Sequence, residues 1–313
     1  MNTPPTWANR RLRLILTSEC NIACAYCHNE GQPKGTDYFP ESLLNRLLPI
    51  LGDCESQLDA VTFSGGEPLL HPYLFRFAKA IRPYTRRMAI VSNGLLMDRA
   101  CVVALQNSGI DHVRLGVDSL WRENSRPTPG TAPTWRVRRT MDLLWAINLP
   151  FELNIVLTRY NIAELPRMLA FCQSHKLSAK FFEHVSLRYE HNSQNLTFVP
   201  VPHLGLNQFL EVASEVFGAD CFVKCPEYGE ANYVYSTGAY TLRYCRYLCP
   251  FGLCYKTGTR VDARGFVYAC MGAYGTWRID GDTSDFDTIS LLREVAANRC
   301  AKLVQVGKGV LRR

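Results

Sequence analysis

The sequence predicts an α/β fold: a partial (β/α)6 barrel over the first 185 residues, then a small cysteine-rich C-terminal domain. Three observations point there. Short apolar, β-rich runs alternate with longer stretches whose apolar residues recur at helical spacing, which implies βαβ units and a parallel sheet. Near residue 185 the alternation gives way to polar, proline-containing sequence. Beyond residue 220 the chain is aromatic and rich in glycine and cysteine.

The predicted strands are, in order, Arg13 to Thr17, Ala60 to Ser64, Met88 to Ser92, His112 to Asp118, Glu152 to Thr158 and Ala179 to Glu183. The helices between them are Pro40 to Ile50, Pro72 to Ile81, Asp98 to Ser108, Pro133 to Ile147 and Ile162 to Ser174. In a barrel or open sheet of this kind, active residues gather at the C-terminal ends of the strands. Residues 1–185 therefore form the barrel, and residues 186–220 a connection, with a polar linker or lid over 186–202 and a helix from Gly205 to Phe217. Residues 221–313 form the cysteine-rich domain. Within it TRVDARGFVYAC reads as a hairpin turning at Gly265, and a last helix runs from about Asp287 to Leu303.

With 47% hydrophobic and 20% charged residues in a chain of 313, a large core is available and disorder is excluded. The apolar run Leu14 to Leu16 is too short for a signal peptide, and no window approaches the roughly 18 apolar residues of a membrane span. A cytoplasmic protein with no membrane partner is expected. Thirteen cysteines in a reducing compartment point to metal binding or catalysis rather than disulfides. Cys54, Cys101 and Cys172 lie in helical or connecting stretches and read as small buried hydrophobes. The net charge of +7 comes from scattered arginines, which reads as a solvated basic surface and argues against nucleic acid as a partner.

Immediately after the first strand comes ECNIACAYCHNE, in which Cys20, Cys24 and Cys27 have C-x3-C-x2-C spacing. A zinc site would want a fourth ligand, for which His28 is at hand. Three thiolates on one loop instead suit a four-iron cluster with one iron left open to a small molecule. The loop resembles the signature of the radical S-adenosylmethionine (SAM) enzymes. Further matches follow in order: Gly65-Gly66-Glu67-Pro68 after the second strand, Ser92-Asn93-Gly94 after the third, Val117-Asp118-Ser119 after the fourth, and Thr158 with Asn161 after the fifth. The resemblance covers roughly residues 10 to 185. It implies a radical SAM barrel with a [4Fe–4S] cluster on Cys20, Cys24 and Cys27. SAM would be held by Gly65, Gly66 and Glu67 at its methionine amino group, and by Ser92, Asn93, Asp118, Ser119, Thr158 and the aromatic Tyr26 along its nucleoside. The cluster, supplied with one electron by an external reductant, would generate a 5′-deoxyadenosyl radical that abstracts hydrogen from a second substrate.

Seven cysteines lie beyond residue 220. The stretch from Cys254 to Cys270, C-x10-G-x4-C, resembles the SPASM and twitch domains that carry auxiliary clusters. The shorter twitch form fits, which implies a second [4Fe–4S] cluster on Cys254, Cys270, Cys300 and a fourth ligand from Cys245 or Cys249, with Cys221 and Cys225 as lesser alternatives. Because the step before Pro250 favours extended or turn backbone, we assign Cys245 as the fourth ligand and Cys249 as a free thiol; the alternative, Cys249 by its C-x4-C spacing, stays open. A free thiol beside the cluster would return a hydrogen atom to a substrate radical.

This layout resembles the radical SAM epimerases of aminoglycoside biosynthesis, which implies inversion of a C–H stereocentre of the neomycin C to neomycin B type. Cys249 would be the hydrogen donor, and Glu183 and Glu190 (with Glu227 and Glu230 as further candidates) the carboxylates for a cationic or sugar-like substrate. The alternatives are a dehydrogenase of a sugar or cyclitol alcohol using the auxiliary cluster as electron acceptor, and a ribosomal-peptide maturase. The absence of an extra N-terminal domain for a leader peptide counts against the maturase. A nucleotide cyclase ranks lower, because the chain ends VGKGVLRR without a double glycine. A cluster- or zinc-stabilised nucleic-acid-binding protein leaves Gly65-Gly66-Glu67 unexplained.

Overall fold

The protein is described by a computed structural model over residues 11–52, 57–121, 128–189, 196–200, 205–225, 232–246, 259–268 and 277–278. Six strands and the five helices between them build the barrel: β1 (Arg11–Ile15), α1 (Glu41–Gly52), β2 (Ala60–Ser64), α2 (Leu74–Ile81), β3 (Met88–Ser92), α3 (Arg99–Asn107), β4 (His112–Val117), α4 (Thr134–Ala146), β5 (Phe151–Leu157), α5 (Leu165–Ser174) and β6 (Ala179–Glu183). Strands β1 to β6 lie side by side in chain order and are all parallel. Every predicted barrel element is present, with ends shifted by a few residues. The largest shift is at α5, where Ile162–Glu164 forms a separate 3-10 turn ahead of the α-helix.

The alternation within strands sets the two sides of the sheet. Val113, Leu115 and Val117 on β4 and Leu153, Ile155 and Leu157 on β5 are buried in one apolar core with Val137, Met141 and Leu144 of α4 and Met168, Leu169 and Cys172 of α5. Their neighbours His112, Arg114 and Gly116, and Glu152 and Asn154, face the other, inner side. The core thus sits between sheet and helices, and the barrel interior is polar.

The C-terminal half of the chain contributes α6 (Leu206–Phe217) and the strands β7 (Val185–Tyr189), β8 (Leu196–Pro200), β9 (Val223–Lys224), β10 (Asn232–Ser236), β11 (Thr241–Cys245), β12 (Thr259–Asp262), β13 (Phe266–Tyr268) and β14 (Trp277–Arg278). The stretch read as a polar linker holds an antiparallel pair, β7 with β8. VSLRY and LTFVP are each β-rich, and the polar composition that suggested a linker comes from the residues between them. β11 adds parallel to β6 and β12 adds parallel to β1, so the sheet continues to twelve strands. An open six-stranded sheet leaves two unpaired edges, and these additions cover both. The hairpin predicted around Gly265 is the β12–β13 turn, closed by the Gly265 amide donating to the Asp262 carbonyl at 3.0 Å. The last predicted helix lies outside the described residues. No helix among the described residues is long and apolar enough to cross a membrane.

Candidate active site at the strand ends

The cysteine loop and the Gly65-Gly66-Glu67 turn are joined backbone to backbone. The Gly66 amide donates to the Thr17 carbonyl and the Glu67 amide to the Glu19 carbonyl, both at 2.8 Å. This approach demands glycine: a Cβ on Gly66 would lie 2.0 Å from the Glu19 carbonyl oxygen, and one on Gly65 would lie 2.5 Å from that of Thr17. The other side of the loop is held by residues 129–130. Ala25 donates to the Pro129 carbonyl at 3.0 Å, and a Cβ on Gly130 would lie 2.0 Å from the Ala23 carbonyl oxygen.

Burial raises the Cys20 thiol above its ordinary value, and burial with the neighbouring Cys27 and Cys20 pushes Cys24 up to about 12. Thiolates at the buried Cys20 and Cys24 positions therefore call for a cationic centre beside them. His28 does not join them: its Nδ1 accepts from the Glu30 amide at 3.0 Å, and the ring is buried near Glu30, Arg260 and Arg13. Among the described residues no three metal-ligating side chains converge on a single ion. A [4Fe–4S] cluster asks for something else, one thiolate on each of three separate irons.

Glu67 is fully buried and ties β2 to β3. Its carboxylate accepts from Ser92 Oγ at 2.8 Å, the Asn93 amide at 2.8 Å and the Leu69 amide at 3.1 Å. Burial raises its carboxyl to about 7. Asn93 in turn reaches the cysteine loop, donating to Asn21 Oδ1 at 2.7 Å with Cys20 Sγ 3.8 Å away.

A second knot closes the ends of β4 and β5. Asn161 Nδ2 donates to the Asp118 carbonyl at 3.0 Å and the Val156 carbonyl at 2.9 Å, while its Oδ1 accepts from the Thr158 amide at 2.8 Å. Asp118 Oδ2 accepts from the Thr128 amide at 3.1 Å, and the Thr128 and Thr158 hydroxyls meet at 3.0 Å. Ser119 is turned outward to Glu164, 2.7 Å away. Tyr26 is packed near Cys24 and Asp118, and burial raises its phenol. Its ring meets His184 edge-on at 6.5 Å.

Glu183, expected to meet substrate, ends β6 and accepts from Tyr244 Oη at 3.2 Å and Arg246 Nε at 3.4 Å. Cys245 ends β11 in register with Phe182, and burial pushes its thiol up to about 12. It therefore reaches the strand-end layer of the barrel. Cys249, Cys254, Cys270, Cys300, Glu190, Glu227, Glu230 and Cys54 lie outside the described residues.

Sequence reasoning missed two charged groups on the inner side. Glu30, three residues after Cys27, pairs with Arg13 of β1 and accepts from Ser64 Oγ at 2.7 Å, with Arg260 Nε of β12 at 3.4 Å. Burial works to raise this carboxyl, but the Arg13 and Arg260 guanidiniums hold it well below the carboxylate range. Lower in the barrel Glu152 pairs with Lys180 and with Arg114 at 2.8 Å, and lies 3.8 Å from Arg243 Nη2. Charged residues at alternate positions inside otherwise apolar strands, as in RLRLI and FELNIVL, were the available signal.

The profile of the Radical SAM superfamily matches residues 14–172, just over half of the chain, including the cysteine loop, the Gly65–Glu67 turn and the Asn161 knot. The chain belongs to the radical SAM superfamily. Among curated proteins it is 33% identical over 177 residues to GTP 3′,8-cyclase of Chlorobaculum tepidum, covering 55% of this chain and 52% of that one. It is 32% identical over 167 residues to PqqA peptide cyclase of Granulibacter bethesdensis, covering 51% and 42%. The chain thus spans about half the length of the curated relatives it matches. Among solved structures its fold is similar to native anSMEcpe with bound AdoMet, with TM-score 0.62, 16% identity and coverage of 91% and 83%. It is also similar to Streptococcus suis SuiB bound to the precursor peptide SuiA, with TM-score 0.64, 13% identity and coverage of 91% and 64%. Membership of the radical SAM superfamily implies SAM and one [4Fe–4S] cluster, and the three free thiols on a glycine-cradled loop fit that cluster.

Proposed function

We propose that Cys20, Cys24 and Cys27 hold the cluster, that SAM lies against the Gly65–Glu67 turn, Asn93 and Asp118, and that the radical so formed acts on a peptide. The observation that carries the first part is the backbone pairing of the cysteine loop with the glycine turn, which fixes ligand loop and SAM turn as one unit. When bound, the cluster supplies the electron that cleaves SAM. The residues of the chain orient and enclose: Glu67 fixes the β3 turn, Asn161 fixes the β4 and β5 ends, and Tyr26 closes the cysteine loop over them.

For the substrate, the peptide reading is better supported than the aminoglycoside epimerase expected from sequence. Glu183 already holds Tyr244 and Arg246, and the barrel interior presents Arg13, Arg114, Lys180, Arg243 and Arg260 against Glu30 and Glu152, a net positive wall that disfavours a polycation. The PqqA peptide cyclase relative and the likeness of fold to a peptide-bound enzyme support a peptide. A nucleotide is the second reading, favoured by the same cationic interior and by the GTP 3′,8-cyclase relatives. A second cluster on the C-terminal cysteines, with Cys249 or Cys245 as a spare thiol, and the division at residues 185 and 220 stand as part of the proposal.

The test is anaerobic turnover of the reconstituted protein with SAM and dithionite in deuterium oxide, offering acidic peptides, GTP and neomycin C in parallel. A maturase gives 5′-deoxyadenosine and a peptide lighter by two hydrogens. Deuterium incorporated into an unoxidised aminoglycoside would restore the epimerase. Absence of 5′-deoxyadenosine in every case sinks the reading as a whole.

A further inference from the structure

Six of the chain's 35 Lys and Arg lie along α4, α5 and the turn before α5. The segments 134–146 and 159–176, comprising α4, α5 and the turn before α5, carry six Lys or Arg against two Asp or Glu, and so hold four of the chain's seven net positive charges. The cations are laid on aromatic rings. Arg167 lies 4.2 Å from the ring centre of Trp121, Arg136 4.6 Å from Trp135, Arg159 4.8 Å from Tyr160 and Arg138 5.2 Å from Phe171. Between the helices Phe171 stacks on His175 at 4.0 Å, and His175 on Trp145 at 5.6 Å. Trp135 and Trp145 are 45% and 38% exposed. Of the two acids, Glu164 already accepts from Ser119.

This face starts at the cysteine loop. Pro129 and Gly130, just ahead of α4, press against Ala25 and Ala23, and Trp121 follows two residues after Ser119 at the end of β4. A partner seated here lies beside the loop that carries the three proposed ligands. We propose that the α4–α5 face is the docking surface for a small acidic one-electron carrier protein, which delivers the electron that the cluster needs. The inference rests on the proposed function in that respect. In each encounter the carrier loses one electron and the cluster gains it. Charge complementarity selects an acidic partner, and the exposed rings beneath the arginines give it apolar contact area. A nucleic acid has matching charge, but the chemistry beside this face requires an electron, not a template.

The test uses the reconstituted full chain and a bacterial flavodoxin as probe, comparing wild type with the triple variant Arg136→Glu/Arg138→Glu/Arg167→Glu. Binding of oxidised flavodoxin, measured by interferometry at low and high salt, is expected to weaken tenfold or more in the variant and to lose its salt dependence. The KM for reduced flavodoxin in SAM cleavage rises in step, while cleavage driven by dithionite is unchanged. The triple lysine variant keeps the charge and is expected to retain binding, which separates docking from damage to the fold. Equal flavodoxin binding by wild type and triple glutamate variant overturns the proposal. So does failure of wild type to bind flavodoxin while a single-stranded RNA oligonucleotide binds this face and is lost in the variant. If dithionite itself yields no 5′-deoxyadenosine, the proposed function fails, and the binding measurement still decides the docking surface.

Discussion

Glu67 and Ser92 meet at 2.8 Å across the ends of β2 and β3, carboxylate to hydroxyl, in a position closed to solvent. The Asn93 amide takes the second carboxylate oxygen and the Leu69 amide shares the first. The carboxylate therefore shapes the turn on which SAM is proposed to lie. In Glu67→Gln a donor NH2 faces one of these N–H or O–H groups, and the mismatch is expected to cost about 1–3 kcal/mol. Burial raises the folded carboxyl from 4.5 to about 7, so the folded state binds the proton more tightly than the unfolded chain. Wild-type stability should therefore carry a component that falls as pH rises from 4.5 to about 7, and Glu67→Gln should lack it. Urea denaturation across that range measures both effects. Identical pH profiles for the two proteins would remove Glu67 as the buried acid.

Glu30 carries the opposite sign. With Arg13 and Arg260 beside it, its folded carboxyl lies below the unfolded value, so its stabilisation is present above 4.5 and lost as pH falls below that value. Glu30→Gln leaves two largely buried guanidiniums without their counter-charge. We expect a loss of about 3–5 kcal/mol at neutral pH, shrinking toward zero in acid. Denaturation midpoints at neutral and acid pH give the comparison, and a loss independent of pH would show that packing alone holds this residue.

Gly66→Ala tests the joint between the two loops. The added methyl meets the Glu19 carbonyl oxygen at 2.0 Å, and neither backbone can retreat without breaking the paired amides. The expected outcome is a protein that keeps its helical circular dichroism but takes up less iron and sulfide on reconstitution. Iron equal to wild type would mean that the cysteine loop does not depend on this turn.

The barrel was legible because its signal is local: apolar periodicity marked every strand and helix from β1 to β6, and the motifs fell at strand ends in order. The edges of the sheet were not. Nothing within Thr259–Asp262 says that it pairs with β1 rather than with a sheet of its own, since that choice depends on where unpaired edges are left. The candidate ligands were legible in their C-x3-C-x2-C spacing, and the SAM turn through its resemblance to the radical SAM motifs at successive strand ends. Glu30 and Glu152 were not, because a buried charge is stabilised by partners far away in sequence, Arg260 in one case and Lys180 in the other. The arginine face was missed for the same reason: residues on two helices and a loop become neighbours only in the folded chain.

Asn161 offers the sharpest test of how the β4 and β5 ends are held. All its polar atoms are used: Nδ2 donates to two carbonyls, of Asp118 and Val156, and Oδ1 accepts from the Thr158 amide. Asn161→Asp is nearly isosteric, but it turns a carboxylate oxygen toward both carbonyls and lies close to the Asp118 side chain, 3.4 Å from Nδ2 in the wild type. The new acid is stable when folded only in its protonated form, so its folded pKa must rise above the ordinary value of about 3.9. Its penalty, about 3–5 kcal/mol at neutral pH, should therefore shrink as pH falls toward that value. Asn161→Ala removes the same hydrogen bonds without adding charge, and its cost should not vary over this range. Both variants should bind SAM more weakly, since each frees the loop carrying Asp118 and Thr158. If the aspartate variant matches the alanine variant at every pH, the carbonyls around residue 161 are not as closely held as the 2.9 and 3.0 Å contacts imply.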